Sequence, residues 1–272
     1  MYVKLNNNLD FSLSDIKRKI TLPNRLTPEL AELAGVIVGD GHIYYQGKCG
    51  RSVINRVYIS GHLYEDNKYY KEHINNIFHK TFNLNLLFSH QRENEMFVKV
   101  HSKAITHFFK EVGVKTGRKS DHNYIPKKIL MSNDKIKRRF LRGIFDTEAS
   151  MCFKRDHNRI YRRPVISIVM KSRKISYQIY NLIRYFNIPI YIYKENPLDK
   201  RSNKRTTRYR MEIWNKVNLF KFLKIIGFKN PKHLTKIEIW RKFGFYPPYL
   251  FLLERNKILQ GKINPVKYYK FI

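Results

Sequence analysis

Acidic side chains are scarce in this sequence. Asp and Glu number 21 against 54 Lys and Arg, for a formal net charge of +33. Such an excess repels itself unless a polyanion neutralises it, so nucleic acid is the expected partner and an anionic membrane surface the lesser one. A coding bias toward Lys, Asn, Ile and Tyr accounts for many of the bases but not for the missing acids. Cysteine is scarcer still. Cys49 and Cys152 are too few for a disulfide framework, and neither sits in a CxxC pair, which argues against a zinc site. No run of 18 apolar residues occurs, so no membrane-spanning helix is expected, and no basic amphipathic anchor is visible. The first 19 residues lack the apolar core of a secretory signal. The expectation is a soluble protein of the cytoplasm, associated with the nucleoid, or of an organelle matrix. What is present suffices for a core: apolar residues make up 43% of 272, enough for one large domain or two small ones.

The chain repeats itself. Leu33-Ala-Gly-Val-Ile-Val-Gly-Asp40-Gly resembles Leu141-Arg-Gly-Ile-Phe-Asp-Thr-Glu148-Ala, 108 residues on. Val57 to His62 resembles Ile166 to Lys171, and Phe109 to Lys115 resembles Leu223 to Lys229, in the same order. Small drifts in spacing need only short loop insertions. Each half reads as helix, two strands, helix, two strands, helix. Thr27-Pro28-Glu29 opens the first helix, with Thr as N-cap and Pro in the first turn. Residues 1–26 form an N-terminal extension, 27–115 the first half, 116–133 a polar linker, 134–229 the second half and 230–272 a C-terminal extension containing a helical stretch.

Gly35 and Gly39 are four apart, as are Gly143 and Thr147, so each pair lies on one helix face. Glycine inside a helix costs about 1 kcal/mol against alanine. Close approach of two helix backbones is a reason to keep it. Asp40 and Glu148 then fall at helix C-terminal ends, where the dipole already places negative charge. Side by side, the two carboxylates also resist joint ionisation. A divalent cation relieves both penalties. Carboxylates with the backbone carbonyls of Gly39 and Thr147 make an oxygen-only ligand set suited to Mg²⁺ or Mn²⁺. A lone Gly-Asp-Gly is most often a turn; the pair in register is what points to a metal-assisted site.

These residues resemble the LAGLIDADG motif of homing endonucleases, present here twice, over about residues 26–230. The resemblance implies an α+β fold of two pseudo-symmetric αββαββα halves with saddle-shaped antiparallel sheets and the motif helices packed at the interface. It implies a site-specific, double-strand DNA endonuclease with a long target and 3′ overhangs, with Asp40 and Glu148 as catalytic metal ligands. With both motifs in one chain, a monomer is expected. The second motif departs from the pattern at Arg142, Glu148 and Ala149, but keeps its carboxylate. The resemblance also places basic helpers at His62 and Lys171, while Gly61 leaves one such position bare. Alternation puts Val57, Ile59, Ile166 and Ile168 toward the core, and His62 and Lys171 on the other face.

The hairpins are basic. Lys154, Arg155, Arg159, Arg162 and Arg163 occupy one, and Lys200, Arg201, Lys204, Arg205, Arg208 and Arg210 another. The first half has Lys48, Arg51 and Arg56. Two-stranded ribbons fit the major groove, where Tyr44, Gln46 and Tyr58 are candidate base readers and most lysines would contact phosphate. The halves differ at nearly every such position, so a palindromic target is not expected. Two alternatives share the fold: a maturase whose partner is intron RNA, and a DNA-binding regulator without catalysis. Retention of both acids favours the enzyme over the regulator.

Overall fold

The computed structural model describes residues 3–49, 52–92, 94–119, 121–199 and 203–269. A short helix α1 (Leu13–Lys17) precedes the first half, which runs α2 (Pro28–Gly39), β1 (Gly41–Cys49), β2 (Ser52–His62), a π-helical turn (Tyr69–Ile74) continuing into α3 (Asn75–Phe82), β3 (Leu87–Arg92), β4 (Glu95–His101) and α4 (Lys103–Val112). The connecting segment holds one short helix, α5 (Lys127–Leu130). The second half follows as α6 (Asp134–Glu148), β5 (Ala149–Arg155), β6 (Tyr161–Met170), α7 (Arg173–Tyr185), β7 (Tyr191–Glu195), a small ribbon of β8 (Leu198–Asp199) and β9 (Lys204–Arg205), β10 (Arg208–Trp214) and α8 (Lys216–Ile225). Two further helices, α9 (Pro231–Phe243) and α10 (Leu252–Leu259), and a 3-10 turn (Pro265–Tyr268) complete it.

Each half builds a four-stranded antiparallel sheet, with strand orders β1-β2-β4-β3 and β5-β6-β10-β7. The two orders are equivalent, as duplication requires. Period-2 alternation assigns the faces. Val57, Ile59, Ile166 and Ile168 are buried, while Ser60 and Lys171 are exposed and His62 half-buried. Among the described residues, helices pack on the face of each sheet that carries Val57, Ile59, Ile166 and Ile168. Residues of both halves and of α9 and α10, from Leu33 through Phe145 to Ile258, join one continuous apolar core. The C-terminal extension therefore folds onto the body: Phe153 of β5 packs on Trp240 of α9, and the Trp240 indole donates to the Arg162 carbonyl at 2.7 Å.

At the centre, α2 and α6 lie side by side and parallel. Local sequence starts both helices: Thr27 and Asn133 side chains accept from Leu30 N and Ile136 N at 3.1 Å. A Cβ built on Gly35 would meet the Phe140 carbonyl oxygen at 2.2 Å, and one on Gly143 the Glu32 carbonyl oxygen at 2.3 Å. A Cβ on Gly39 would meet the Thr147 hydroxyl at 2.2 Å. Only hydrogen fits at these points, so the small-residue stripe sets the interhelix distance. A fully buried Glu32 ties the pair further, with Arg139 Nε at 3.0 Å and His73 Nε2 at 2.6 Å. Gly61 has a comparable cause: a Cβ there would sit 2.6 Å from the Tyr70 ring, so packing, not chemistry, keeps this position bare.

Replacing Gly35 by Ala should cost about 1–2 kcal/mol net, because overpacking a backbone contact outweighs the gain in helix propensity of about 1 kcal/mol. Equilibrium urea unfolding checks this. A Gly35→Ala protein as stable as the parent would contradict the contact.

Candidate active site at the ends of the paired helices

Because α2 and α6 are parallel, their C-terminal ends meet at one place. Asp40 caps α2 and Glu148 ends α6. Two helix dipoles and two carboxylates thus concentrate negative charge in one half-buried spot. Burial pushes Asp40 up to about 6, with Lys232 and Lys119 opposing and Asp66 reinforcing. Burial pushes Glu148 up to about 7, reinforced by the Asp40 charge and opposed by Lys119 and Lys232. The pair titrates as a unit, and both acids resist losing their protons when no further cation is present.

The two opposing cations are lysines of the connecting segment and of α9, outside both repeated units. Lys119 Nζ donates to the Ile37 and Val38 carbonyls at 2.8 Å, and to that of Gly39. Those carbonyls lie at the C-terminal end of α2, where an ammonium is favoured. Desolvation lowers the Lys119 pKa to about 8, against the pull of Glu148 and Asp40. Lys232 Nζ reaches the Thr147 carbonyl at 3.2 Å and Asp66 Oδ1 at 3.0 Å. Gly39 and Thr147 occupy equivalent motif positions, so the lysines are pseudo-symmetric mates. Each is the leading cationic influence on the carboxylate of the other half: Lys232 on Asp40 and Lys119 on Glu148. A faint signal existed in the repeat, since a lysine follows each of Gly113 and Gly227 at a similar remove.

Other groups are held around this centre. Asn123 Nδ2 donates to the Val38 carbonyl at 2.9 Å. Fully buried Asp146 accepts from Lys229 N and Asn230 N at 2.9 Å, and burial pushes it up to about 7. His42 on β1 faces Lys119; burial first, then Lys119 and Arg56, holds its pKa below the ordinary value. Of the expected helpers, His62 lines an open cleft of about 540 Å³ shared with Asp66, Thr147, Glu148 and Lys232. Lys171 stands exposed just past the end of β6. Lys119 and Lys232, not Lys171, are the cations that weigh on the two acids.

The open faces of the sheets carry much of the basic set. In the first half, the Arg56 guanidinium lies 4.9 Å from the Tyr44 ring and 5.7 Å from that of Tyr58, with Lys99 at 6.0 Å from Tyr58. Gln46 sits exposed at a bulge between β1 and β2 with φ of 50°. In the second half, Lys154, Arg163, Arg208 and Arg210 share the open face by register. Arg208 and Arg210 both pair with Glu195, at 2.8 and 2.6 Å, and are less free than a bare charge count suggests. Arg162 points to the opposite face and pairs with Asp156 at 3.1 Å. Arg155 lies over Tyr161 at 4.9 Å, and Arg159 sits in the hairpin turn with φ of 62°. Lys204 and Arg205 are exposed on β9. Arg51, Lys200 and Arg201, and the side chain of Lys48, lie outside the described residues.

Both acids have folded-state pKa values above their ordinary ones, so the folded protein holds these protons more tightly between about pH 4 and about pH 7. Stability of the metal-free protein therefore falls as pH rises through that window. Asp40→Asn with Glu148→Gln removes this contribution. The double variant should lose less stability than the parent between about pH 5 and about pH 8 in EDTA. Urea unfolding at the two pH values checks it, and equal losses would refute the paired burial.

A family model described as a LAGLIDADG-like domain matches residues 135–227. The homing endonuclease I-DmoI, in complex with DNA and Mn, superposes with a TM-score of 0.51 at 19% identity, over 74% of this chain and 96% of that one. The homing endonuclease I-WcaI, bound to its DNA recognition sequence, gives 0.50 at 18% identity, over 79% and 86%. Two curated proteins of Methanocaldococcus jannaschii also match. They are a glutamine–fructose-6-phosphate aminotransferase (24% identity over 80% of this chain) and a replication factor C small subunit (26% over 84%). The chain spans only 18% and 13% of their lengths, so the likeness reports a shared module and neither activity. Residues 135–227 thus match a LAGLIDADG-like domain, and the two halves together share the fold of these homing endonucleases.

Proposed function

We propose that this protein is a site-specific endonuclease that cuts both strands of DNA with divalent metal. One observation carries the reading: two carboxylates meet at the ends of close-packed parallel helices, each under a lysine, between two sheets with basic open faces. Structures of the similar I-DmoI are described with DNA and Mn, with target DNA and Mg, and with DNA and Ca.

The donor set suits a hard cation. It consists of Asp40, Glu148 and the carbonyls of Gly39 and Thr147, and those carbonyls already attract ammonium groups. All four donors are oxygen atoms, which suit a hard cation better than a soft one. Mg²⁺ or Mn²⁺ held there would stabilise charge on the attacking and leaving oxygens of the phosphodiester. The protein's own residues do the rest. Lys119 and Lys232 place positive charge where the phosphate becomes more negative, in a partly desolvated site where such charge is worth most. Their ammonium groups are fixed by backbone and Asp66 contacts, so little reorganisation is needed. Lys119, with its pKa near 8, can also exchange a proton with water at neutral pH. The open faces hold the duplex. Arg56, Lys99, Lys154 and Arg163 supply charge, and Tyr44, Gln46 and Tyr58 are placed to read base edges. His62 and Lys171 are assigned to the DNA backbone beside the cut. The protein acts as a monomer, because one chain supplies both acids.

Asp40→Asn or Glu148→Gln should abolish double-strand cleavage while leaving metal-independent DNA binding largely intact. Lys119→Met or Lys232→Met should slow cleavage by on the order of 10²–10³-fold. Cleavage assays on a target selected from a randomised DNA pool decide this, and full activity of either acid variant would sink the proposal. Binding should weaken steeply with salt, with log K against log salt sloping by about −5 to −9 if six to ten phosphates are neutralised. A near-flat slope in filter binding would show that the basic faces do not line the duplex.

A further inference from the structure

The two lysines are equivalent in position but not in support. Around Lys232 the structure closes a ring. Arg255 of α10, fully buried, donates from Nη1 to the Lys232 carbonyl at 2.9 Å and pairs through Nη2 with Glu65. The other Glu65 oxygen accepts from Leu252 N, at the start of α10, at 2.7 Å. Glu65 adjoins Asp66, which holds the Lys232 ammonium at 3.0 Å and also accepts from His62 N at 3.0 Å and Asn230 Nδ2 at 2.7 Å. The backbone and the ammonium of Lys232 are thus gripped from one turn of the first half, one grip direct and one through Arg255.

The matching turn of the second half cannot do this. In the repeat register His62-Leu-Tyr-Glu65-Asp66 is answered by Lys171-Ser-Arg-Lys174-Ile175, so the acidic pair becomes Lys174 and Ile175. There Lys174 lies over the Tyr124 ring at 5.1 Å and lines an open cleft with Lys115 and Arg173. Lys119 is held by the carbonyls of α2 instead.

Resting on the nuclease reading above, we infer that Glu65 and Arg255 are positioning residues that clamp Lys232 for hydrolysis of one DNA strand, leaving the other strand to Lys119. The C-terminal extension is then part of one half-site. Burying the Arg255 charge is costly unless it is paired, and both of its terminal nitrogens have partners here. The pairing joins the first half to the C-terminal extension, and what it holds in place is the backbone of a lysine that bears on Asp40. Arginine suits the task because its planar fork can grip a carboxylate and a carbonyl together, which a lysine cannot.

The test uses the full chain, Mg²⁺ and a linear duplex carrying the selected target, with each strand labelled separately. Lys232→Met and Lys119→Met identify the strand served by each lysine. Glu65→Gln, which keeps shape and loses charge, and Arg255→Lys, which keeps charge and loses the fork, are the clamp variants. Both should slow the Lys232 strand by about tenfold or more while the other strand stays within about twofold, so nicked duplex accumulates. The untouched strand serves as the folding control, since unfolding would slow both. Equal slowing of both strands, no slowing by either variant, or slowing of the Lys119 strand would each overturn the clamp. Failure of the unmodified protein to cut either strand would instead overturn the nuclease reading, and the clamp with it.

Discussion

The contact between α2 and α6 is the constraint on which the rest of the molecule depends. Backbone meets backbone at Gly35 and Gly143, with no room for a methyl group. That contact runs the helices parallel, so both negative dipole ends and both motif acids arrive at one point. Such an arrangement is unfavourable taken alone. It persists because the surrounding core is large and because Lys119 and Lys232 return positive charge to the helix ends. The strain in protonation that remains, seen in the raised Asp40 and Glu148, is what a divalent cation would relieve. Structural cost and chemical capacity have one origin here.

The same contact organises the outer parts. Each sheet follows its motif helix directly, β1 from Asp40 and β5 from Glu148, so each basic open face begins beside the acids. Ser60 N donates to the Asp40 carbonyl at 3.2 Å, which holds the end of β2 to the same point. The loop after α4 and the first turn of α9 return to the helix ends and deliver Lys119 and Lys232. Duplication explains why both halves do this, and divergence explains why they do it differently. The second half has recruited α9 and α10 into its half-site, while the first relies on the connecting segment.

The fold was legible in the sequence to an unusual depth for a single chain, and the reason is periodicity. Thr27 and Asn133 cap helices by local chemistry, and Val57, Ile59, Ile166 and Ile168 alternate as half-buried strands must. The small-residue spacing of Gly35, Gly39, Gly143 and Thr147 states a helix contact before any coordinates exist. Charge alone was less informative than it looked. Arg208 and Arg210 count as basic in the sequence, yet the fold spends both on Glu195. Arg162 lies in a basic hairpin, yet it faces away and pairs with Asp156.

By itself the sequence determined two repeated units, their element order, the pairing of the motif helices and the two acids at their ends. All of these are set by interactions between near neighbours or by patterns that recur at a fixed offset. Tertiary structure alone decided which cations answer the acids. Lys119 is about 80 residues from the carbonyls it caps, and Lys232 about 85 from its own. Beyond a lysine that follows each of Gly113 and Gly227 at a similar remove, neither spacing has a local signature. Likewise Glu65 and Arg255 are 190 residues apart, and nothing near either one marks it. A buried ion pair is chosen by desolvation and three-dimensional proximity, and those exist only once the chain has closed on itself.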